Sequence, residues 1–209
     1  LTNEGMPRFY NERGQETLGD FNFSSSNINF LKYSGTLDPT DVGTLTNTFR
    51  YKNFSLSANI NYEFGAVTRL RSISNTDDYS AFPRELTQRW KKPGDEKHTD
   101  IPRLPTSYAF DQYGADNLIN AYYAYGASTA RIVSTDFIRL KEISLAYDLP
   151  TSLIKRTPLR SASVKVQATN LFLLYADKKL NGQDPEFFNI GGVASPTPRQ
   201  FTLTLKLGL

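Results

Sequence analysis

FSLSANINYEFG, residues 54–65, decides the fold. Phe54, Leu56, Ala58, Ile60, Tyr62 and Phe64 fall on one side of an extended chain; Ser55, Ser57, Asn59, Asn61, Glu63 and Gly65 fall on the other. Successive side chains of a β-strand point to opposite faces, so a strict period of two makes one face apolar and the other polar. The run is long for a strand of a soluble protein. Just before it, TLTNTFRYK (Thr44–Lys52) alternates in the same way. Leu45, Phe49 and Tyr51 share one side with Asn47 as the exception, and Thr44, Thr46, Thr48, Arg50 and Lys52 take the other. The Lys52-Asn53 link between the runs is short enough for a tight hairpin.

Three more runs follow the pattern. In FIRLKEISLAY (Phe137–Tyr147), Ile143, Leu145 and Tyr147 share a face, and strict alternation puts Phe137, Arg139 and Lys141 further back along it. Leu149-Pro150 stops this strand, and TSLIKRTPLR (Thr151–Arg160) reads as a helical turn. In SASVKVQATNLFLLY (Ser161–Tyr175), Val164, Val166, Ala168, Phe172 and Leu174 share parity with Asn170. In RQFTLTLKLGL (Arg199–Leu209), Phe201, Leu203, Leu205, Leu207 and Leu209 oppose Gln200, Thr202, Thr204, Lys206 and Gly208. Polar intervals separate the runs. Residues 1–42 are irregular, with a possible short strand at Phe21–Phe30. Residues 67–134 carry Pro83, Pro93, Pro102 and Pro105, with short helices expected at Phe82–Trp90 and Asn117–Tyr125. Residues 176–198 form a second long loop.

The links after Lys52 and Leu149 are short, and those after Gly65 and Tyr175 are long. Alternating short and long connections between long amphipathic strands is the arrangement of an antiparallel transmembrane β-barrel, with tight turns on one side of the membrane and long loops on the other. Each run can cross, since about 9–11 tilted residues suffice. Tyr51, Phe54, Tyr62, Phe64 and Tyr147 lie near strand ends, where aromatic girdles sit. The same alternation also describes a soluble β-sandwich with one face in a core and one in water. Five strands cannot close a barrel, whose practical minimum is about eight, so the barrel reading requires partner strands from elsewhere.

Composition excludes several classes. The 209 residues include 24 basic and 21 acidic side chains, a net charge of +3 that is too small to argue for nucleic acid. With no cysteine and only His98, thiol nucleophiles, zinc knuckles, iron–sulfur clusters and multi-histidine metal sites are out of reach. No apolar run approaches the ~20 residues of a membrane helix. No signal peptide is evident, and a start at Leu1 rather than Met reads as a processed or partial chain. We expect no enzyme activity, no catalytic residue, no metal and no cofactor.

Several segments together resemble the C-terminal part of the SusC/RagA family of TonB-dependent outer-membrane transporters. They are GTLTNTFRYKNFSLSANINYEFG (Gly43–Gly65), ELTQRWKKPGDEKHTDIPRL (Glu85–Leu104), DFIRLKEISLAYDLP (Asp136–Pro150), SVKVQATNLFLL (Ser163–Leu174), NGQDPE (Asn181–Glu186) and PTPRQFTLTLKLGL (Pro196–Leu209), in the family's order. The resemblance covers roughly Leu37 to Leu209. It implies an all-β fold, about the last five strands of a 22-stranded barrel, with residues 1–42 an extracellular loop region and 43–209 the C-terminal strands and their loops. It implies a Gram-negative outer membrane, long loops extracellular and the C-terminus on the periplasmic side. The implied partners are the remaining barrel strands and plug domain, a SusD-like surface lipoprotein, outer-membrane lipid, and the TonB complex through an N-terminal part absent here. The implied function is nutrient import, of oligosaccharide or peptide. The chain ends in Leu209, where family members commonly end in Phe. A soluble carbohydrate-binding β-sandwich is the competing function, and a purely structural outer-membrane or adhesin module is a third.

Candidate sites follow from residue chemistry. Aromatic faces stack on sugar rings or anchor protein partners, and the 67–134 interval offers Tyr79, Phe82, Trp90, Tyr108, Phe110, Tyr113, Tyr122, Tyr123 and Tyr125. The same rings also serve to pack the loop against itself, and Arg89, Trp90, Ile101, Pro102 and Arg103 read as structural first. Asp184 and Glu186 flank Pro185; such a pair suits a calcium site or a substrate hydrogen-bonding site, or a turn in which Asp184 caps backbone amides. Lys178 and Lys179 read as a solvated face. In a barrel, Phe54, Leu56, Ile60, Phe201, Leu203 and Leu205 would face lipid, and Ser55, Ser57, Asn59, Asn61, Glu63, Thr202, Thr204 and Lys206 the lumen.

Overall fold

The computed structural model describes residues 1–11, 13–18, 31–70, 84–187 and 197–209. Five strands join edge to edge in chain order: β1 (Asp41–Tyr51), β2 (Phe54–Phe64), β3 (Phe137–Asp148), β4 (Ser161–Ala176) and β5 (Gln200–Gly208). Every neighbouring pair is antiparallel. Phe21–Phe30 and residues 82–83 of the expected first helix lie outside the described residues.

The register turns the alternation of single strands into faces of a sheet. Phe49 lies opposite Leu56, Leu56 opposite Leu145, Leu145 opposite Val166 and Val166 opposite Leu203. The next row runs Tyr51, Phe54, Tyr147, Val164, Leu205. A soluble sandwich would cover such a face with a second sheet. Here the face is bare: Phe49 is 66% exposed, Leu203 72% and Phe201 74%. The opposite face is hydrogen-bonded. Thr48 Oγ1 lies 3.1 Å from Ser57 Oγ, and Asn59 Nδ2 donates to Thr46 Oγ1 at 3.3 Å.

Strict alternation fails in β3, and the structure gives the reason. Asn59 pairs with Glu142, but the next residue, Ile60, pairs with Leu140, so Lys141 is an extra residue in β3. A bulge of this kind moves every side chain beyond it to the other face. Arg139 therefore pairs with Asn61 on the polar face, and Ile138 and Leu140 join the apolar face opposite Tyr62 and Ile60. The expectation that Arg139 and Lys141 share a face with Ile143 is corrected accordingly. In β4 the pairing with β3 jumps from Thr169 to Phe172, and Asn170 sits there at φ 53°. Asn tolerates the left-handed region better than most side chains, which explains a polar residue among Ala168, Phe172 and their apolar neighbours.

Both short connections leave the same end of the sheet. Lys52 takes φ 52° in the two-residue link between β1 and β2. The β3–β4 connection contains the single helical turn α3 (Thr151–Ile154), as expected for that segment. Asn53 fastens the two links: its Nδ2 donates to the Asp148 carbonyl at 2.7 Å, and its own carbonyl accepts from the Asp148 amide at 2.9 Å. Gly208 closes β5 at this end, where its carbonyl accepts from the Arg160 amide at 2.8 Å. At the other end Gly65 turns the chain out of β2 at φ 89°, and its amide donates to Asp136 Oδ1 at 2.7 Å.

The sheet belongs to one compact unit, Thr36–Thr68 with Ser134–Leu209; a second comprises Leu1–Gly35 with Arg69–Val133. In the second unit the long interval folds around α1 (Ser107–Tyr113) and α2 (Ala115–Ala127). Thr106 caps α1 by accepting from the Ala109 amide, and Gly114, at φ 79°, breaks the two helices apart. Ala109, Leu118 and Tyr122 bury themselves on Met6, with Leu18, Phe110 and Tyr113 packed around them. The N-terminal stretch thus shares a core with the interval. The expected helix at Asn117–Tyr125 falls inside α2, whereas the described part of Phe82–Trp90 forms a 3-10 turn over Arg84–Gln88.

Gly5 is where this second unit tolerates least change. It sits at φ 76°, and a Cβ there would lie 2.3 Å from Trp90 Cδ2. A Gly5→Ala variant is expected to lose about 1–3 kcal/mol of stability through overpacking. Thermal unfolding followed by the emission of Trp90, the single tryptophan, checks this; an unchanged transition would contradict the packing described.

Candidate functional site

The described aromatic residues of the interval divide into two sets; Tyr79 and Phe82 lie outside the described residues. Trp90, Tyr122 and Tyr125 are buried. Tyr122 donates its hydroxyl to the Arg103 carbonyl, and burial pushes that hydroxyl well above the ordinary phenol range. Tyr113 packs beside the core and donates to Glu4 Oε2 at 2.5 Å, a bond to a carboxylate that raises its pKa. These rings build the unit. Tyr108 and Tyr123 stand 70% and 66% exposed, with Ile119 one helical turn before Tyr123 at 45%. They are the aromatic side chains of this group free to meet something else.

Trp90 is held from several sides. Its amide donates to the Ile101 carbonyl at 2.9 Å, and its indole Nε1–H donates to Glu96 Oε2 at 3.1 Å. The same carboxylate oxygen accepts from the Gly94 amide at 2.7 Å. Hydrogen bonds from the Glu96 backbone first, then from Trp90, hold the Glu96 carboxyl below its ordinary 4.5. Arg103 ties this loop to the N-terminal stretch through its amide, which donates to the Gly5 carbonyl at 3.0 Å. Pro102 is fully buried, and His98 is exposed at the end of a 3-10 turn. The structural reading of Trp90, Ile101, Pro102 and Arg103 agrees with these contacts.

A buried ion pair sits beneath Tyr125, and the sequence alone did not reveal it. Arg131 and Glu85 form a fork: Nη2 to Oε1 at 2.7 Å and Nη1 to Oε2 at 2.8 Å, with side chains only 2% and 8% exposed. The guanidinium also lies 5.5 Å from the Tyr125 ring centre. Two parallel charge-assisted bonds satisfy both buried charges. Forty-six residues separate the partners, so spacing gives no signal.

In the sheet unit, Asp184 and Glu186 meet two cations. Arg139 Nη2 contacts Asp184 Oδ1 at 2.5 Å, and Arg139 Nε lies 3.2 Å from Glu186 Oε2. Lys141 Nζ lies 3.7 Å from Glu186 Oε1. Asp184 Oδ1 also accepts from the Glu186 amide at 3.1 Å, so the expected capping turn is present as well. Both carboxylates therefore act as the counter-charge of Arg139. The bulge makes this possible by turning Arg139 to the polar face, where the loop after β4 reaches it. The signal available in the sequence was a guanidinium within an apolar run. Among the described residues no group of three or more His or acidic side chains converges on a metal-sized site.

Comparison with known proteins gives a class, then particular relatives. No family model matches the chain. In sequence its relatives are TonB-dependent receptors, the kinship to which the motifs point. It is 28% identical over 155 residues to TonB-dependent receptor P3 of Formosa agariphila, and 29% identical over 177 residues to TonB-dependent receptor P26 of the same organism. These matches take in 71% and 77% of this chain but 13% and 16% of the relatives, so the chain spans less than a fifth of their length. In structure it is similar to a chain of the RagAB peptide transporter, with a TM-score of 0.64 at 22% identity over 99% of this chain and 22% of that one. The RagAB peptide importer in its open-open state gives 0.59 at 23% identity, over 94% of this chain and 19% of that one.

Two outcomes test the contacts. Arg139→Ala strands the nearly buried Asp184 carboxylate, whereas Glu186 stays partly in water, and is expected to cost about 3 kcal/mol, with faster proteolysis of the loop over residues 177–187; a loop as resistant as before would contradict the anchoring. Glu96 contributes stability above its ordinary 4.5 that is lost as pH falls through its lowered folded value. Trp90 emission should therefore change on acidification in that range, and Glu96→Gln should abolish the dependence.

Proposed function

We propose that the chain is the C-terminal run of strands and loops of a TonB-dependent importer in a Gram-negative outer membrane, taking up oligosaccharide or peptide with a SusD-like surface lipoprotein. The observation that carries this is the uncovered apolar face of the five-stranded sheet, backed by a hydrogen-bonded polar face. Water does not leave such a face bare at low cost, since each Å² of apolar surface is worth about 25 cal/mol on transfer. Lipid covers it without a second sheet.

The dimensions agree. From Phe54 to Phe64 a strand advances about 33 Å at 3.3 Å per residue. Tilted by about 40° it spans roughly 25 Å of membrane, the height of the apolar band of outer-membrane barrels. Aromatic side chains mark both ends: Phe54 and Tyr147 with ring centres 4.5 Å apart, and Tyr62 with Phe64 at 5.4 Å. Edge strands β1 and β5 run 11 and 9 residues. In hydrocarbon their outer N–H and C=O groups require partners, which supports closure by further strands, to 22 in the proposed barrel, around a plug. The short connections and Gly208 share one end of the sheet, in keeping with a periplasmic C-terminus and extracellular long loops. Energy coupling to TonB belongs to parts outside this chain. The lipoprotein would meet the exposed Tyr108, Ile119 and Tyr123 of the helical unit, since aromatic side chains often anchor interfaces.

Replacing Leu203 with Arg near mid-membrane is expected to cost about 2–4 kcal/mol in folding into lipid, whereas Thr204→Arg on the other face costs less; equal costs would overturn the assigned faces. Replacing Tyr108 and Tyr123 together by Ala should leave the barrel inserted, with its heat-modifiable gel mobility, while reducing lipoprotein co-purification and growth on the cognate nutrient. Unchanged retention and growth would leave the helical unit only a sealing role.

A further inference from the structure

The second compact unit contains an open cavity of about 560 Å³, within the size range of pockets that enclose small ligands. Its wall draws Arg8 and Tyr10 from the N-terminal stretch, Lys32 and Ser34 from the chain before Gly35, Arg69, and Ser128 with Thr129 from the end of α2. Three cationic side chains, Arg8, Lys32 and Arg69, and one carboxylate, Asp100, belong to its lining. Arg8 has a partner in Glu16 at 3.2 Å. Among the described residues no carboxylate lies within ion-pair distance of Lys32 or Arg69. Tyr10 is 57% exposed, with the Arg8 guanidinium over one face of its ring at 6.0 Å from the centre.

We infer that this cavity binds an acidic oligosaccharide, with Lys32 and Arg69 on its carboxylate or sulfate groups, Tyr10 against a sugar ring, the Thr129 hydroxyl on a sugar oxygen, and Ser128, whose own hydroxyl donates to the Tyr125 carbonyl at 2.7 Å, accepting from a sugar hydroxyl. The argument is one of chemical fit. Lys32 and Arg69, exposed and without a carboxylate partner among the described residues, attract an anion to the mouth of the cavity. An exposed Tyr ring offers the apolar face that a pyranose C–H surface covers. Short hydroxyl side chains donate and accept, as sugar hydroxyls require. A neutral glycan would leave Lys32 and Arg69 without counter-charge, and an acidic peptide would make less use of Tyr10 and the hydroxyls.

The inference rests on the proposed role in import, and its test separates the two. The intact outer-membrane protein is purified in detergent, and its heat-modifiable mobility reports the barrel independently of any ligand. Binding of a galacturonate trimer, a sulfated oligosaccharide, a neutral oligosaccharide and a glutamate oligomer is measured by titration calorimetry. An acidic sugar should bind with salt-sensitive affinity, and the neutral sugar at least tenfold more weakly. Lys32→Gln with Arg69→Gln should weaken acidic-sugar binding about a hundredfold, roughly tenfold for each of the two lost charge-assisted hydrogen bonds. Lys32→Arg with Arg69→Lys should retain it, and Tyr10→Ala should weaken sugar binding alone. Neutral sugar bound as well as acidic, a glutamate oligomer preferred, or affinity indifferent to the Gln pair would each overturn the inference while leaving a heat-modifiable barrel in place. Loss of heat-modifiable mobility in the unaltered protein would instead overturn the membrane reading.

Discussion

The apolar face shared by β1 to β5 needs a cover, and the rest of the account depends on what supplies it. Phe49, Leu56, Leu145, Val166 and Leu203 form a continuous row across all five strands, and those at the edges are mostly exposed. Hydrocarbon covers such a row by lipid alone, and it also requires every backbone group to be paired. That second demand reaches beyond the sheet: among the described residues β1 and β5 each have one bonded neighbour. The kinship with TonB-dependent receptors, of which the chain spans under a fifth, is consistent with strands contributed by the rest of a longer polypeptide.

Much of this was legible in the sequence because period-2 alternation is a local signal. Phe54–Phe64 and Phe201–Leu209 give their faces directly, and the register keeps them. The short links after Lys52 and Leu149 were equally plain. Alternation failed at Lys141, because a bulge is set by the pairing of two strands and not by the residues of one. The misplacement of Arg139 followed. The charge of Arg139 between the apolar neighbours Ile138 and Leu140 makes a change of face before Glu142 the cheaper arrangement. Asn170 was the second such warning, a residue at ease with positive φ amid apolar neighbours.

The site residues were less legible for the opposite reason. Asp184 and Glu186 were conspicuous as a pair, but their role depends on Arg139, 45 residues earlier. Glu85 and Arg131 gave no local sign of each other. Trp90, Tyr122 and Tyr125 drew notice as aromatic rings fit for ligands, yet they are interior residues. What makes them so is a core shared with Met6 and Phe9 from the N-terminal stretch, a contact that neither segment announces by itself. Among the described aromatic residues of the interval, Tyr108 and Tyr123 keep the exposure a binding role requires.

The most direct test of the central claim is depth and environment along one strand. Spin labels placed singly from Gln200 to Leu207, with the protein in lipid bilayers, report collision with oxygen, which favours hydrocarbon, and with a water-soluble nickel chelate. A lipid-facing row gives high oxygen and low nickel accessibility at positions 201, 203 and 205, with the reverse tendency at 202, 204 and 206. Labels at 201, 203 and 205 shielded from both reagents would mean that the face is packed in a protein core, and uniform nickel accessibility would mean that it meets water; either result contradicts a lipid-facing sheet.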